Sequence, residues 1–367
     1  MNNRIGLPKY TLTAALAVLA ALLCYTFVST NSAQGSSASS AVSAQGPLTG
    51  EWILEVKSGT DFVYLSIHRR SERGGEHSSS SNIRADSLKG LSADQVSSNG
   101  SAVRFQIVRD AGTFDCEGWF KQGKGSGSFT FTANQRFAAE MRSLGYEQLS
   151  DEKLFSMAVH DINLTFIREL NALGYDRLTT DNLFAMRIHG AGPEFIKAMK
   201  AEGYDQVPVD NLVAMRIHGV KPEFIAELKS LGYDHPPLDQ LVAMRIHGVS
   251  SEFVKGLQEQ GYRQPPIEQL VAMRIHGVKN EFIQELKELG YERIPIEQLV
   301  AMRIHGVRTE FVKEIKALGY DRVPPEQLVA MRIHRVDAAF IQKAKSRGFN
   351  DASIEQLIDL KIHGFDK

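Results

Sequence analysis

Histidine recurs at positions 160, 189, 218, 247, 276, 305, 334 and 363, a fixed step of 29 residues. Around five of them stands the same pentapeptide, Met-Arg-Ile-His-Gly, at Met186–Gly190, Met215–Gly219, Met244–Gly248, Met273–Gly277 and Met302–Gly306. A period in this range marks a stacked-repeat protein, because one short unit cannot bury its apolar face alone and must lean on its neighbours. The C-terminal region is therefore expected to be an α-solenoid of eight two-helix repeats.

The unit that begins at Lys221 shows how each repeat is built. Pro222 suits the first turn of a helix, where a missing amide costs nothing, and Glu223 suits its positive end. Phe224, Ile225, Leu228 and Leu231 fall on one face at helical spacing. Gly232 stops the helix and Tyr233 follows. Pro237 opens a second helix, with Asp239 in its first turn, which runs through Leu241, Val242 and Met244 to His247 and Gly248. The same positions recur along the array: phenylalanine from Phe137 to Phe340, the closing glycine from Gly145 to Gly348, an early acid from Glu152 to Glu355. At the start of the second helix Ser150, Thr179 and Ser353 offer capping hydroxyls, whereas Pro208, Pro237, Pro266, Pro295 and Pro324 are expected in the first turn. Departures gather in the end units, at Ala158, Asp161 and Thr165 and at Arg335, Ala339, Arg347 and Phe349, as expected of capping repeats.

Upstream of the array the period changes to two. Trp52, Leu54 and Val56 alternate with Glu51, Glu55 and Lys57; Val103, Phe105 and Ile107 with Arg104 and Gln106; Phe114, Cys116 and Phe120 with Asp115 and Glu117; Phe129 and Phe131 close the series. Four strands and a fifth at Phe62 to His68 predict a small antiparallel β sandwich or barrel. The polar run Ser71 to Ser81 reads as a loop. His77 and His68 together lack the ligand count of a metal site.

Residues Thr11 to about Thr30 carry no charge, and Arg4 and Lys9 precede them. This predicts a hydrophobic helix, either a single membrane anchor or a secretory signal, with the bulk of the chain outside the cytoplasm. The Ser/Ala/Gln/Gly stretch that follows cannot bury enough surface to fold and reads as a tether. The chain is thus expected to be an α+β multidomain protein: 1–30 anchor or signal peptide, 31–48 flexible linker, 49–132 β domain, 133–367 solenoid. Cys24 and Cys116 are too few and too far apart in context for a disulfide framework. With 42 basic and 43 acidic residues the chain lacks the excess of a nucleic-acid binder.

A histidine in every unit invites a metal reading. Neighbouring helices lie roughly 8–10 Å apart, however, against a zinc–nitrogen bond of about 2 Å, so adjacent units cannot share an ion. The histidines are instead expected at the negative end of the second helix, donating to its last carbonyls. Arg187, Arg216, Arg245, Arg274 and Arg303 are each followed seven residues later by Glu194, Glu223, Glu252, Glu281 and Glu310. That spacing predicts a structural ladder of Arg–Glu pairs bracing each turn, in preference to a basic stripe for anionic ligands. Met and Ile of the motif are expected in the core. No nucleophile elbow, phosphate loop, Cys-x-x-Cys or His-Glu-x-x-His occurs, so neither an enzyme nor a cofactor is expected.

The run Leu-Val-Ala-Met-Arg-Ile-His-Gly-Val with Glu-Phe and Leu-Gly-Tyr, preceded by Gly112-Thr113-Phe114 and by Gly127 to Thr132, resembles a group of mostly uncharacterised bacterial envelope proteins. Similar regions extend the C-termini of sensor metallopeptidases of the beta-lactam antirepressor type. The peptidase part is missing here, so the resemblance carries over no catalytic residue. The expected function is a membrane-tethered extracytoplasmic scaffold that binds a protein or peptide, with Lys221, Ser250, Lys279 and Arg308 as candidate contacts. The alternative is an accessory sensor in envelope-stress or antibiotic-resistance signalling, its β domain binding a ligand.

Overall fold

The computed structural model describes residues 47–56, 61–70 and 75–365. The expected anchor and nearly all of the expected linker lie outside them. Among the described residues no helix is long and apolar enough to cross a membrane.

Seven strands form one curled antiparallel sheet: β1 Leu48–Val56, β2 Phe62–Arg70, β3 Glu76–Arg84, β4 Leu88–Lys89, β5 Ser101–Arg109, β6 Gly112–Lys121 and β7 Lys124–Ala133, in the order β3-β2-β1-β7-β6-β5-β4. A short helix, α1 Ala93–Ser97, precedes β5. The five expected strands are present, but a single sheet replaces the expected sandwich or barrel. The stretch expected as a loop is largely strand: β3 pairs along its whole length with β2, Ile83 opposite Val63 and His77 opposite Arg69. Its serines kept it from reading as a strand. An edge strand needs only one partner and one half-covered face, and a polar edge resists pairing with other chains.

One face of the sheet is apolar. Trp52, Leu54, Val63, Leu65, Phe105, Phe114, Phe120, Phe129 and Phe131 are buried on it. With no second sheet, the cover comes from the first repeat. Phe155 stacks on Phe129 at 6.0 Å and meets Phe114 and Phe131 edge-on. Cys116 is buried in this layer as a free thiol, and burial pushes its pKa up to about 12.

Sixteen helices of the repeats follow. The first helices are α2 Gln135–Ser143, α4 Leu164–Ala172, α6 Pro193–Ala201, α8 Pro222–Ser230, α10 Ser251–Glu259, α12 Asn280–Glu288, α14 Thr309–Ala317 and α16 Ala338–Ser346. The second are α3 Asp151–Val159, α5 Thr180–His189, α7 Val209–Ile217, α9 Leu238–Ile246, α11 Ile267–Ile275, α13 Ile296–Ile304, α15 Pro325–Ile333 and α17 Ile354–Ile362. The helical, α+β character of the chain follows expectation. The chain forms two compact units, one spanning Ala44–Lys255 and one containing Gly256–Lys367.

Each helix end is closed as its residues require. The glycine after every first helix sits at φ between 91° and 97°, a left-handed value that favours glycine. Ser150, Thr179 and Ser353 accept from the amide three residues on. The prolines at 208, 237, 266, 295 and 324 stand one residue earlier than expected, at the cap itself, with φ near −52°.

Neighbouring repeats are tied by a tyrosine that follows the closing glycine. Its hydroxyl donates to a carbonyl 32 residues on: Tyr175 to Val207, Tyr204 to Pro236, Tyr262 to Ile294, Tyr291 to Val323 and Tyr320 to Ala352, all at 2.7–2.9 Å. Within each unit the second helices approach one another more closely than the first. Alanines such as Ala214 and Ala301, in the middle of those helices, leave room for it.

Candidate functional site

The Met-Arg-Ile-His-Gly motif closes five of the second helices, and its four side chains go to different places. Met215, Met244, Met273 and Met302 are fully buried. The arginine lies over the phenylalanine of the first helix in its own repeat: Arg187 on Phe166, Arg216 on Phe195, Arg245 on Phe224, Arg303 on Phe282 and Arg332 on Phe311, at 5.1–5.2 Å from each ring centre. Arg187 and Arg216 also donate through Nε to the carbonyls of His160 and His189. A cation is thus set at the negative end of the preceding second helix and on an aromatic face at once.

This arrangement corrects the expected Arg–Glu ladder. Glu194, Glu223, Glu252, Glu281 and Glu310 are all exposed, and Glu194 pairs with Lys197 at 2.8 Å. Arg187, Arg216, Arg245 and Arg303 form no ion pair with the glutamate seven residues on, among the described residues. Each arginine leans back toward the previous repeat, whereas its glutamate opens the following helix on the outer surface, so the two diverge. Arg274 is half-buried like Arg187, Arg245 and Arg303, whereas Arg216 and Arg332 are exposed. The carboxyl of Glu252 is held below the usual range by its own backbone amide first, then by Ser250 and Ser251, with Arg245 last.

The backbone of each histidine from His218 to His334 caps the helix, donating to the carbonyl four residues back. Only at His363, among the described residues, does the ring itself meet a helix carbonyl, that of Asp359 at 2.8 Å. No group of three metal-ligating side chains occurs among the described residues.

The isoleucine is the second correction. Ile188, Ile217, Ile246, Ile275, Ile304, Ile333 and Ile362 are exposed, by 44–55%. They occupy one position of every second helix from α5 on. Residues two apart on a helix point about 200° apart, so with methionine in the core the isoleucine must face solvent. Seven residues earlier in the same helices stands the exposed acid: Asp181, Asp210 and Asp239 in the first unit, Glu268, Glu297, Glu326 and Glu355 in the second. Three residues before the isoleucine lies a half-buried alanine in the six inner repeats, replaced by Ser156 in the first repeat and Asp359 in the last. The outer face of the second helices therefore carries an apolar row and an acidic row with small residues between.

The residues Lys221, Lys279 and Arg308 are exposed at the turn into the next first helix, where each is the cap residue. Ser250 is half-buried and its hydroxyl accepts from the Phe253 amide at 3.2 Å. They border the isoleucine row at its histidine end rather than forming it.

A second polar cluster joins sheet to repeats. Buried Arg69 on β2 makes a two-pronged pair with Glu152 on α3, at 2.6 and 2.7 Å. His77 on β3 lies edge-on to Phe155 and 6.4 Å from His160, and its Nε2 has no partner. Burial, then the Arg69 charge, lowers the His77 pKa; burial, then His77, lowers that of His160. Asp161, at φ 53° where later repeats have glycine except for Arg335, is held by Arg187 at 2.7 Å and Arg109 at 3.4 Å. His68 points to the opposite face of the sheet, bonded to Ser66 and Ser78, so it and His77 do not converge. The cavity between the sheet and α3, lined by Leu65, Ile67, Phe114 and Ala158 among others, measures about 10 Å³, room for roughly one water.

No family model, curated protein or solved structure matches the chain. The resemblance to repeat regions of envelope proteins therefore rests on the residues quoted for it.

Proposed function

We propose that the protein is a binding scaffold, tethered to a membrane by its N-terminal apolar segment and displaying its repeats outside the cytoplasm, and that it docks a protein or peptide on the outer face of its second helices. The observation that carries this reading is the isoleucine row. A large apolar side chain left half in water at one position of seven repeats is a recurrent cost, and exposed apolar surface repeated in this way within each unit marks interaction sites. Binding rather than catalysis is proposed, since the polar residues of the motif are engaged in holding the repeats together.

The sensor reading, with a ligand inside the β domain, has less support, because the aromatic face that would line such a site is filled by Phe155. The test is in vivo crosslinking of the full chain with a photoreactive residue at Ile217 or Ile246, against the same residue at Glu202. Crosslinked partners at the isoleucine positions alone are the expected result. Equal or absent crosslinking at the three positions would remove the support for this face.

A further inference from the structure

We infer that the occupant of this face is an extended peptide segment carrying one apolar and one basic residue in every three. The inference rests on the scaffold reading and names the partner's chemistry. The isoleucine and the acid of each second helix are seven residues apart, which places the two rows about 10.5 Å from each other along the helix axis. The small residue between them, Ala185, Ala214 and Ala243 in one unit and Ala272, Ala301 and Ala330 in the other, keeps the space between the rows low. A helix laid along the stack returns the same face about every 5.4 Å, or about 10.8 Å for two turns, so its side chains drift out of step with helices roughly 8–10 Å apart. An extended chain is narrower and sends side chains to both sides.

Spacing along the stack agrees. Packed helices lie roughly 8–10 Å apart, and three residues of polyproline II, one full turn, advance about 9 Å. Each repeat therefore meets three residues of the ligand, so one can address the isoleucine and another the acid in every repeat. Charge decides the sign of the second. Asp181 pairs with Lys153, and Glu297 and Glu355 accept from Gln269 and Gln327, but Asp210, Asp239 and Glu326 are exposed and form no ion pair with another described residue, whereas the motif arginines lie against phenylalanine rings. A basic side chain on the ligand completes the acidic row and an acidic one is repelled. The pattern also has ends: Glu152 is taken by Arg69, and Asp359 stands in place of the alanine in the last repeat.

The test is fluorescence anisotropy on the full chain in lipid nanodiscs, with a labelled peptide of repeated Leu-Lys-Pro about 12 residues long, chosen for its three-residue turn. Comparison peptides replace Lys by Glu or Leu by Ser. The Leu-Lys-Pro peptide is expected to bind, each comparison peptide to bind at least about tenfold more weakly, a loss of roughly 1.4 kcal/mol. The double variant Asp210→Lys, Asp239→Lys is expected to prefer the Glu peptide. Equal binding of Lys and Glu peptides, or none of either, overturns the inference. So does concentration-dependent self-association, or binding to protein-free vesicles, that Ile217→Asp abolishes, since the occupant would then be a second copy or a lipid surface. In those last cases the docking face itself would stand, whereas failure of crosslinking at Ile217 and Ile246 removes both.

Discussion

The guanidinium of Arg216 lies 5.1 Å from the centre of the Phe195 ring, on the first helix of its own repeat, while its Nε donates to the carbonyl of His189 in the preceding repeat. One side chain thus joins the first helix of its own repeat to the second helix of the preceding one. Arg245→Ala is expected to destabilise the chain by about 1–2 kcal/mol, read from the denaturant midpoint, because a part-buried cation is lost from the face of the Phe224 ring. Glu252→Lys, at an exposed carboxylate, is expected to leave the midpoint near wild type. A larger loss for Glu252→Lys than for Arg245→Ala would restore the ion-pair ladder.

The isoleucine row separates surface from core. Ile217→Asp should shift stability by no more than about 0.5 kcal/mol, as surface substitutions do, while Met215→Ala should cost about 2–5 kcal/mol through the cavity it leaves. Thermal melts of the two variants decide it.

Alkaline pH should loosen the tyrosine ties. Burial pushes the pKa of Tyr204, Tyr262 and Tyr291 up to about 12, from 10.0 in water. A folded pKa above the unfolded one means stability that is complete below pH 10 and falls away between about 10 and 12. Tyr204→Phe should cost about 1 kcal/mol at neutral pH by orphaning the Pro236 carbonyl. A variant with all three replaced should show a shallower alkaline loss, followed by tyrosinate absorbance and circular dichroism.

Acid should act on the junction instead. His77 and His160 both have lowered pKa values, chiefly from burial, so the unfolded chain binds protons more readily than the folded one. Stability then falls as pH drops through the ordinary histidine value of 6.5. Hydrogen exchange should report it first in β3 and α3, and a His77→Phe variant should flatten the dependence. Unchanged protection of β3 and α3 across this range would refute it.

Glu152→Gln tests the weld between sheet and repeats. Arg69 is nearly fully buried, but Glu152 is 43% exposed, so the loss should be about 2–3 kcal/mol, below the range for a wholly buried pair. The expected sign of failure is separate melting of the sheet.

The sequence by itself determined the number and length of the repeats, their caps and the phenylalanine, glycine and acid positions. Those are local matters: helical periodicity, a left-handed glycine and a capping hydroxyl act within a few residues of themselves. The isoleucine's exposure was equally within reach, since it stands two residues from a buried methionine, and the motif's apolar look hid it. The tertiary structure alone decided the rest. Arg216 finds a ring 21 residues back rather than a glutamate seven ahead because the packing of the two helices within a repeat, not distance along the chain, selects its neighbour. Serine-rich β3 is a strand because β2 offers it a full ladder of backbone partners, and the sheet stays single because Phe155 arrives from the first repeat to cover its aromatic face. Such choices depend on surfaces that exist only once the chain has packed.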